Sequence, residues 1–257
     1  MFKQISKHVY VLEDISYRGY PYLGYVISDD NKPFLIDAGF SKKQKDILYQ
    51  ELDKANLPYP VAGTITHSHY DHSFGMAHYD IPFYVNNRTQ EELVRLSKLD
   101  WHSTKGLNKI IENNDLPFFA VNAIYGEYHD DLSQIKIKTD NIIYNKIIDE
   151  FRVELGKDDI VHIFLINQNN SNHSRDTTIV YILEDQIIFV GDSCYYDVFD
   201  VLHDYTKEQL VDFFTQLLSY ETEKVVFGHQ EIGTQKDIVK LYQEHLKLLF
   251  NEEKIIL

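Results

Sequence analysis

The chain has 257 residues, of which 44% are hydrophobic and 14% aromatic, which is enough material for one large domain with a substantial core. Its 25 lysine and arginine residues against 40 aspartate and glutamate residues give a net charge of −15, which repels phosphate backbones and argues against a nucleic-acid-binding protein. The single cysteine, Cys194, excludes an intrachain disulfide, and no apolar run approaches the length of a membrane span.

The first part of the chain predicts the start of an α/β layer. β-Prone runs at 9–12, 23–28 and 34–36 are followed by Ser41, which can cap a helix over residues 42–55. The first ten residues enter a strand directly and lack the apolar block of a signal peptide, so we expect the protein in the cytoplasm.

A histidine-rich run follows the next β-prone stretch, residues 61–66, and reads Thr66-His67-Ser68-His69-Tyr70-Asp71-His72. Alternate residues of an extended chain point the same way, so His67 and His69 can bind one ion. The turn that follows aims Asp71 and His72 at a second ion. Imidazole and carboxylate ligands without thiolate suit zinc, iron or manganese. The alternative is a polar loop that is rich in histidine by chance.

The middle of the chain combines a short strand, a helix and a less regular segment. A strand is predicted at 82–85, and Thr89 starts a capping-box pattern for a helix that reaches about Lys98. Residues 100–149, which we call the insertion, mix aromatic side chains with asparagine and aspartate, and we predict irregular structure there. These aromatic side chains could form an apolar lid, although packing against the rest of the domain is the simpler interpretation.

The last part of the chain predicts a second layer. Its predicted strands and helices cover residues 151–155, 160–166, 178–183, 186–190, 206–219, 224–227 and 235–250. Asp192 follows Gly191 at the end of one β-prone run, and His229 follows Gly228 at the end of another. Glycine lets the chain turn sharply, and in both places a residue of a metal-ligand type stands next.

The order of these residues resembles that of the metallo-beta-lactamase superfamily, from the first strands to His229. The resemblance implies an α/β fold of the αββα type, in which two mixed sheets are flanked by helices and residues 1–257 form a single domain. It also implies two divalent metal ions bridged by Asp192, with zinc as the expected metal and manganese or iron as alternatives. The implied ligands are His67, His69, Asp71, His72, His173, Asp192 and His229.

The third histidine of the first metal site is the weakest match. The family usually presents it in a Gly-His-Thr setting, whereas here Asn172 precedes His173 and Ser174 follows it. The alternative, His162, lies inside a predicted strand, where a lone histidine is more often a packed or surface residue than a ligand. His173 also stands just before the strand pair that leads to Asp192, which is the family's order of elements, so we favour His173.

The implied activity is hydrolysis of a small-molecule ester, thioester or lactone. Two divalent ions can share a water and lower its pKa from near 16 to about 7, so that a bridging hydroxide is the nucleophile. Asp71 can also take the nucleophile's proton and pass it to the leaving group. Tyr195 stands three residues after Asp192, where related lactonases carry a phenol that donates a hydrogen bond to the substrate carbonyl. In a chain with 19 tyrosines, a surface aromatic is the alternative for Tyr195.

Other functions stay open at this point. True beta-lactamases of the superfamily lack the bridging aspartate and are exported, so antibiotic hydrolysis ranks low. A non-heme iron oxidoreductase of the persulfide-dioxygenase kind would hold one iron, and a catalytically silent ligand-binding protein would hold metal without turnover. Arg18 could meet a substrate carboxylate, although a solvated loop arginine is the simpler interpretation. We expect neither nucleic acid nor a membrane as a partner, and the sequence leaves the oligomeric state open.

Overall fold

Two mixed β-sheets pack face to face in the computed structural model, and helices cover the outer face of each sheet. This is the αββα arrangement that the resemblance implies. The structure describes residues 1–13, 19–147, 149–195 and 205–250, without the side chains of Asn145 and Phe250. The interpretation of Arg18 therefore lies outside the described residues.

In the described part of the chain, the first sheet has seven strands that lie side by side in sequence order. They are β1 (Phe2–Gln4), β2 (Val9–Leu12), β3 (Leu23–Val26), β4 (Phe34–Ile36), β5 (Ala62–Thr64), β6 (Phe83–Asn86) and β7 (Ile142–Ile147). Strands β1 to β4 pair antiparallel, whereas β4 to β7 pair in parallel. Because parallel strands end at the same edge of a sheet, residues that follow β4 and β5 come close together.

The second sheet has five strands among the residues that the structure describes. They are β8 (Glu150–Leu155), β9 (Val161–Gln168), β10 (Thr177–Ile182), β11 (Ile187–Gly191) and β12 (Lys224–Phe227). Their spatial order is β12-β11-β10-β9-β8, and of the pairs between these described strands only β11–β12 is parallel. The residues that follow β11 and β12 therefore also lie at one edge.

Alternate residues of the strands build two separate apolar layers. On β10, Val180 belongs to the core between the sheets, whereas Ile179 belongs to the layer under the helices. On β11, Phe189 and Ile188 divide in the same way. Side chains alternate across a strand, so a strand covered on both faces is apolar throughout, and every residue of β10 and β11 is buried.

Helices pack on both outer faces of the sandwich. They are α1 (Lys42–Ala55), α2 (Tyr70–Ser73), α3 (Asn87–Leu96), α4 (Thr104–Glu112), α5 (Phe118–Tyr128), α6 (Lys207–Leu218) and α7 (Gln235–Phe250). Short 3₁₀ turns cover Phe74–His78 and Leu132–Gln134. The hydroxyl of Ser41 caps α1 by accepting a hydrogen bond from the N–H of Lys43, as its place in the sequence predicts. Among the described helices, none is long and apolar enough to cross a membrane.

The prediction of irregular structure in the insertion is wrong, because the segment holds α4, α5 and β7. Ser103 caps α4 by accepting from the N–H of Gly106, and Leu107 and Ile110 are buried at helical spacing. These are ordinary helix signals that the mixed composition of the segment concealed.

The aromatic side chains of the insertion divide between a buried and an exposed set. Trp101 and Tyr128 are buried in an apolar cluster that also contains Phe74 of the first sheet's helical layer. Phe118 and Tyr125 lie on the other face of α5 and are exposed. The buried set packs the insertion against the sandwich, which was the simpler interpretation.

Candidate metal centre

The side chains proposed as ligands meet at one edge of the sandwich, although they come from four separate segments. Four belong to the segment after β5, one to the turn before β10, and one each to the ends of β11 and β12. They are His67, His69, Asp71, His72, His173, Asp192 and His229. They form two groups, and within each group the ligand atoms all lie within 4.8 Å of one another.

The first group consists of His67, His69 and His173. Nε2 of His67 lies 2.9 Å from Nδ1 of His69, and Nε2 of His173 lies 3.0 Å from the same Nδ1 atom. Nitrogen ligands of a tetrahedral zinc ion are about 3.3 Å apart at the usual bond length. The three rings therefore match the spacing of one ion with little movement.

The second group consists of Asp71, His72, Asp192 and His229. Nε2 of His229 lies 3.0 Å from Oδ2 of Asp71. Nε2 of His72 lies 3.7 Å from that oxygen and 3.4 Å from Oδ1 of Asp192. Mixed imidazole and carboxylate donors of this kind suit a divalent cation.

The carboxylate of Asp192 faces both groups. Its Oδ1 atom points to His72, while its Oδ2 atom lies 3.5 Å from Nε2 of His173 and 3.5 Å from Nε2 of His229. His162, the alternative to His173, is on β9 and contacts Glu184 instead. The structure thus brings His173, and not His162, next to His67 and His69.

Burial lowers the pKa of two of the three histidines in the first group. Burial, and then the charges of His72 and His69, keep the pKa of His67 well below its usual value. Burial, and then the charge of His69, lower the pKa of His173 to about 4. A neutral imidazole offers a lone pair, so these rings can bind a metal ion near neutral pH without first losing a proton.

The second group holds its carboxylates ionised. Burial acts to raise the pKa of Asp192, but the charge of His72 and the hydrogen bond from His229 bring it well below its usual range. The pKa of Asp71 is lowered by the same two histidines against the same effect of burial. Burial acts to lower the pKa of His229, and the hydrogen bonds to Asp192 and Asp71 raise it to about 9. Two neighbouring carboxylates form the charge environment that a divalent cation neutralises.

Two buried atoms at the centre of the cluster fit a metal ion. Nε2 of His72 and Oδ1 of Asp192 have no hydrogen-bond partner of good geometry within the described part of the chain, and they lie 3.4 Å apart. A buried polar atom without a partner costs about 1–3 kcal/mol. A cation bound by both atoms would remove this cost, so the donor set suits the metal that the fold implies.

Asp37, to which the sequence analysis gave no role, supports the cluster from behind. It follows β4 directly and is buried, with a positive φ of 61°. Its Oδ2 atom accepts a hydrogen bond from Nδ1 of His72 at 3.0 Å, and its Oδ1 atom accepts from the N–H of Thr66 at 2.7 Å. This bond holds a proton on Nδ1 of His72 and directs Nε2 toward the cluster. The available signal was an aspartate directly after a β-prone run, as for Asp192.

Gly228 and Gly191 allow the chain to pass close to the cluster. A Cβ atom on Gly228 would collide with Oδ1 of Asp192, and it would lie 3.1 Å from Cε1 of His72. Gly191 has a φ of 52°, and a Cβ atom there would collide with the side chain of Thr66. The glycines before Asp192 and His229 are therefore part of how these two residues reach the site.

Tyr195 lies beside the cluster. Its ring centroid is 6.4 Å from that of His173 and 6.4 Å from that of His229. Its hydroxyl oxygen accepts a hydrogen bond from the backbone N–H of His229 at 2.9 Å. Burial, and then the charge of Asp192, raise the pKa of the phenol, so it stays protonated at neutral pH. A hydroxyl that accepts a hydrogen bond keeps its own proton to donate.

Comparison with known proteins agrees with this architecture. The sequence model of the metallo-beta-lactamase superfamily matches residues 18–229 of the chain. A search of curated protein sequences finds no significant match.

Solved structures of similar architecture cover most of the chain. A metallo-beta-lactamase superfamily protein from Sulfolobus tokodaii, ST1585, is 18% identical, with 98% of this chain and 90% of that chain covered and a TM-score of 0.59. A metallo-beta-lactamase from Pontibacter korlensis is 17% identical, with 98% and 99% covered and a TM-score of 0.60. The BLEG-1 B3 metallo-beta-lactamase is 16% identical, with 93% and 97% covered and a TM-score of 0.56. At such identities the likeness concerns the fold.

Proposed function

The chain belongs to the metallo-beta-lactamase superfamily, and from this premise we propose that it is a hydrolase that uses two divalent metal ions to cleave a small-molecule ester, thioester or lactone. One observation carries the proposal: the carboxylate of Asp192 lies between a group of three histidines and a second group with two histidines and an aspartate. A cluster of this composition has no evident use in packing, and it suits a pair of cations that share one ligand.

We assign one ion to the first group and the other to the second, with Asp192 shared between them. Zinc is our first choice because imidazole and carboxylate donors without thiolate suit it, and manganese or iron would accept the same donors. Bound divalent ions would lower the pKa of water enough to supply hydroxide near neutral pH, and they would polarise the substrate carbonyl.

Asp71 is the residue that we assign to proton transfer. Its side chain is 13% exposed, whereas that of Asp192 is 8% exposed and that of His72 is fully buried, so Asp71 lies nearest to solvent among these three. Its lowered pKa keeps it ionised at neutral pH. An ionised carboxylate can accept a proton from the attacking water and return it to the leaving group.

Tyr195 is the residue that we assign to the substrate oxygen. The bond that it accepts from the N–H of His229 fixes the position of its hydroxyl beside the cluster and leaves the phenolic proton available. A donor held in place before the reaction stabilises the negative charge that develops on the carbonyl oxygen.

The net charge of −15 supports a small molecule over a nucleic acid as the substrate. A chain with one cysteine, which is buried, suits a reducing compartment, and we propose the cytoplasm.

The test combines metal analysis with a substrate panel. Purified protein reconstituted with zinc or manganese should contain two ions per chain and should hydrolyse at least one thioester, ester or lactone in a panel that also contains phosphodiesters and β-lactams. One iron per chain with oxygen uptake would favour an oxidoreductase instead. Full metal content with no turnover of any substrate would favour a binding protein.

A further inference from the structure

Asp176 connects the two turns that carry the first ligand group, although it belongs to neither group. It lies three residues after His173 and is 5% exposed. Its Oδ2 atom accepts a hydrogen bond from the backbone N–H of Ser68 at 2.9 Å. Its Oδ1 atom accepts a hydrogen bond from the hydroxyl of Ser174. One buried carboxylate is therefore bonded to both turns.

Each of these two partners is next to a proposed ligand. Ser68 lies between His67 and His69, so a bond to its N–H fixes the turn on which both rings are mounted. Ser174 follows His173, so a bond to its hydroxyl fixes the turn that carries the third ring. Hydrogen bonds to an ionised carboxylate are among the stronger ones in proteins. The carboxylate of Asp176 thus links the two turns.

The backbone of Asp176 is held by a separate set of contacts. Its carbonyl oxygen accepts hydrogen bonds from Nδ2 of Asn86 at 2.7 Å and from the hydroxyl of Thr89 at 3.0 Å. Asn86 also caps α3 by accepting from the N–H of Thr89. This anchor ties Asp176 to the end of β6 and the start of α3, on the side of the first sheet.

We propose that Asp176 is a positioning residue that sets the affinity of the His67, His69 and His173 group for its metal ion. The inference rests on the proposed metal-dependent function. Residues that orient metal ligands without touching the ion typically change metal affinity by about 10–100-fold when they are replaced. The second group has no such link to Asp176 among the contacts of the described residues, so the effect should be confined to the first group.

The experiment is a zinc titration of the metal-free protein against a chromophoric chelator, which resolves two binding steps. The variants His173→Ala and His229→Ala assign the steps, because each should abolish a different one. Asp176→Ala should lower the zinc affinity of one step, the step that His173→Ala abolishes, by about 10–100-fold. The affinity of the other step should change by less than about threefold. In Asp176→Asn the zinc affinity of both steps should stay within about threefold of the wild-type value, because the amide can accept a hydrogen bond from Ser68 and donate one to Ser174.

Asn86→Ala is the matched control. It removes the cap of α3 and the contact to the backbone of Asp176, yet it leaves the carboxylate bonds in place. We expect it to lower the melting temperature without changing the zinc affinity of the step that His173→Ala abolishes. Equal weakening of that step in Asn86→Ala and Asp176→Ala, or an unchanged step in Asp176→Ala, would overturn the inference.

Ser174→Ala covers the case in which Asp176→Ala does not fold. It removes the hydroxyl that donates to the carboxylate and accepts from the N–H of Asp176, and it leaves the bond to Ser68 in place. It should weaken the first step several-fold, and an unchanged step would again count against the inference. Two normal steps in every Asp176 and Ser174 variant would remove the positioning role and leave the proposed function standing. No zinc uptake by the wild-type protein would remove both.

Discussion

A buried histidine stands between aspartates at each end of the sandwich, and the two ends differ in what the second ring nitrogen meets. At the start of β2, Nδ1 of His8 contacts Asp185 at 2.7 Å and Nε2 contacts Asp159 at 2.9 Å. At the opposite end of the strands, Nδ1 of His72 is bonded to Asp37, while Nε2 lacks a hydrogen-bond partner of good geometry within the described residues. At the end that carries His8, which we call the closed end, both ring nitrogens have a hydrogen-bond partner. At the end that carries His72, which we call the open end, only Nδ1 has a partner of good geometry within the described residues.

The difference separates a residue that joins the sheets from one that can take part in binding. His8 belongs to the first sheet, and its two aspartates lie on turns of the second, so its bonds hold the sheets together. Lys7 completes that set by pairing with Asp159 at 2.6 Å. Nε2 of His72 instead faces two carboxylates of the cluster, those of Asp71 at 3.7 Å and Asp192 at 3.4 Å. Histidine and aspartate in contact are therefore not enough to indicate a metal site, whereas unsatisfied atoms that converge on one point are.

The largest effect should come from removing the shared carboxylate at the open end. Asp192→Ala should lose metal and lower activity by about 10³-fold or more, since metal ions supply several kcal/mol of transition-state stabilisation. Elemental analysis and hydrolysis of the best panel substrate measure both. Asp185→Ala is the matched control at the closed end, and it should lower the melting temperature but keep the metal. Full metal occupancy in Asp192→Ala would contradict the assignment of Asp192 as the shared metal ligand.

A smaller loss should follow Asp71→Asn, which keeps the shape and one oxygen donor but cannot take up a proton. We expect kcat to fall by about 10²-fold or more with metal still bound, in the range of general acid–base effects. Steady-state kinetics on the metal-loaded variant provide the measurement. Near-native kcat with full metal content would mean that Asp71 is a ligand only.

Tyr195→Phe deletes one hydroxyl and keeps the ring. A lost oxyanion donor costs roughly 10²–10³-fold in kcat in well-studied enzymes, but metal ions would share the charge here, so we expect about tenfold. The metal content should not change, because phenol is not among the proposed ligands. Tyr181→Phe, whose hydroxyl contacts the carbonyl of Glu221 away from the cluster, is the control. Unchanged kinetics would leave Tyr195 as a packing residue.

The smallest effect concerns the pH dependence of stability at the closed end. Burial acts to lower the pKa of His8, but the hydrogen bonds to Asp159 and Asp185 outweigh it and the pKa is raised. The folded protein therefore holds this proton more tightly than the unfolded chain, whose histidine pKa is about 6.5. The stabilisation is complete below that value and is lost as the pH rises through the folded-state pKa. Between pH 6 and pH 8, the melting temperature of metal-free wild type should fall by more than that of His8→Gln, and parallel curves would refute this role.

The proposed ligands could be located from the sequence because their signals are local. The histidine run stands at the end of a β-prone stretch, and Asp192 and His229 each follow a glycine at the end of one. In a layered α/β fold, such ends collect at one edge, so the structure brings together residues that the sequence could only list. The αββα fold was implied by the resemblance of these residues to the metallo-beta-lactamase superfamily.

The rest depends on contacts between distant segments. Nothing near His8 indicates that Asp159 and Asp185 will meet it, because the contact exists only once the sheets pack. The prediction of irregular structure in the insertion was wrong for a different reason. Aromatic residues lie on both faces of α5, with Tyr128 buried and Phe118 exposed, so the helical period of its apolar side chains is weak.

The division of the ligands between the two halves of the chain has a consequence for folding kinetics. Residues 67–72 belong to the half that forms the first sheet, whereas His173, Asp192 and His229 belong to the half that forms the second. All the described strand pairs of both sheets join neighbours in sequence, so each sheet can begin to form early. The ligands meet only when the sheets dock. Ions held by both halves would therefore stabilise the native state more than the transition state for folding. Metal loading should slow unfolding and leave the folding rate nearly unchanged, which gives a long-lived native state.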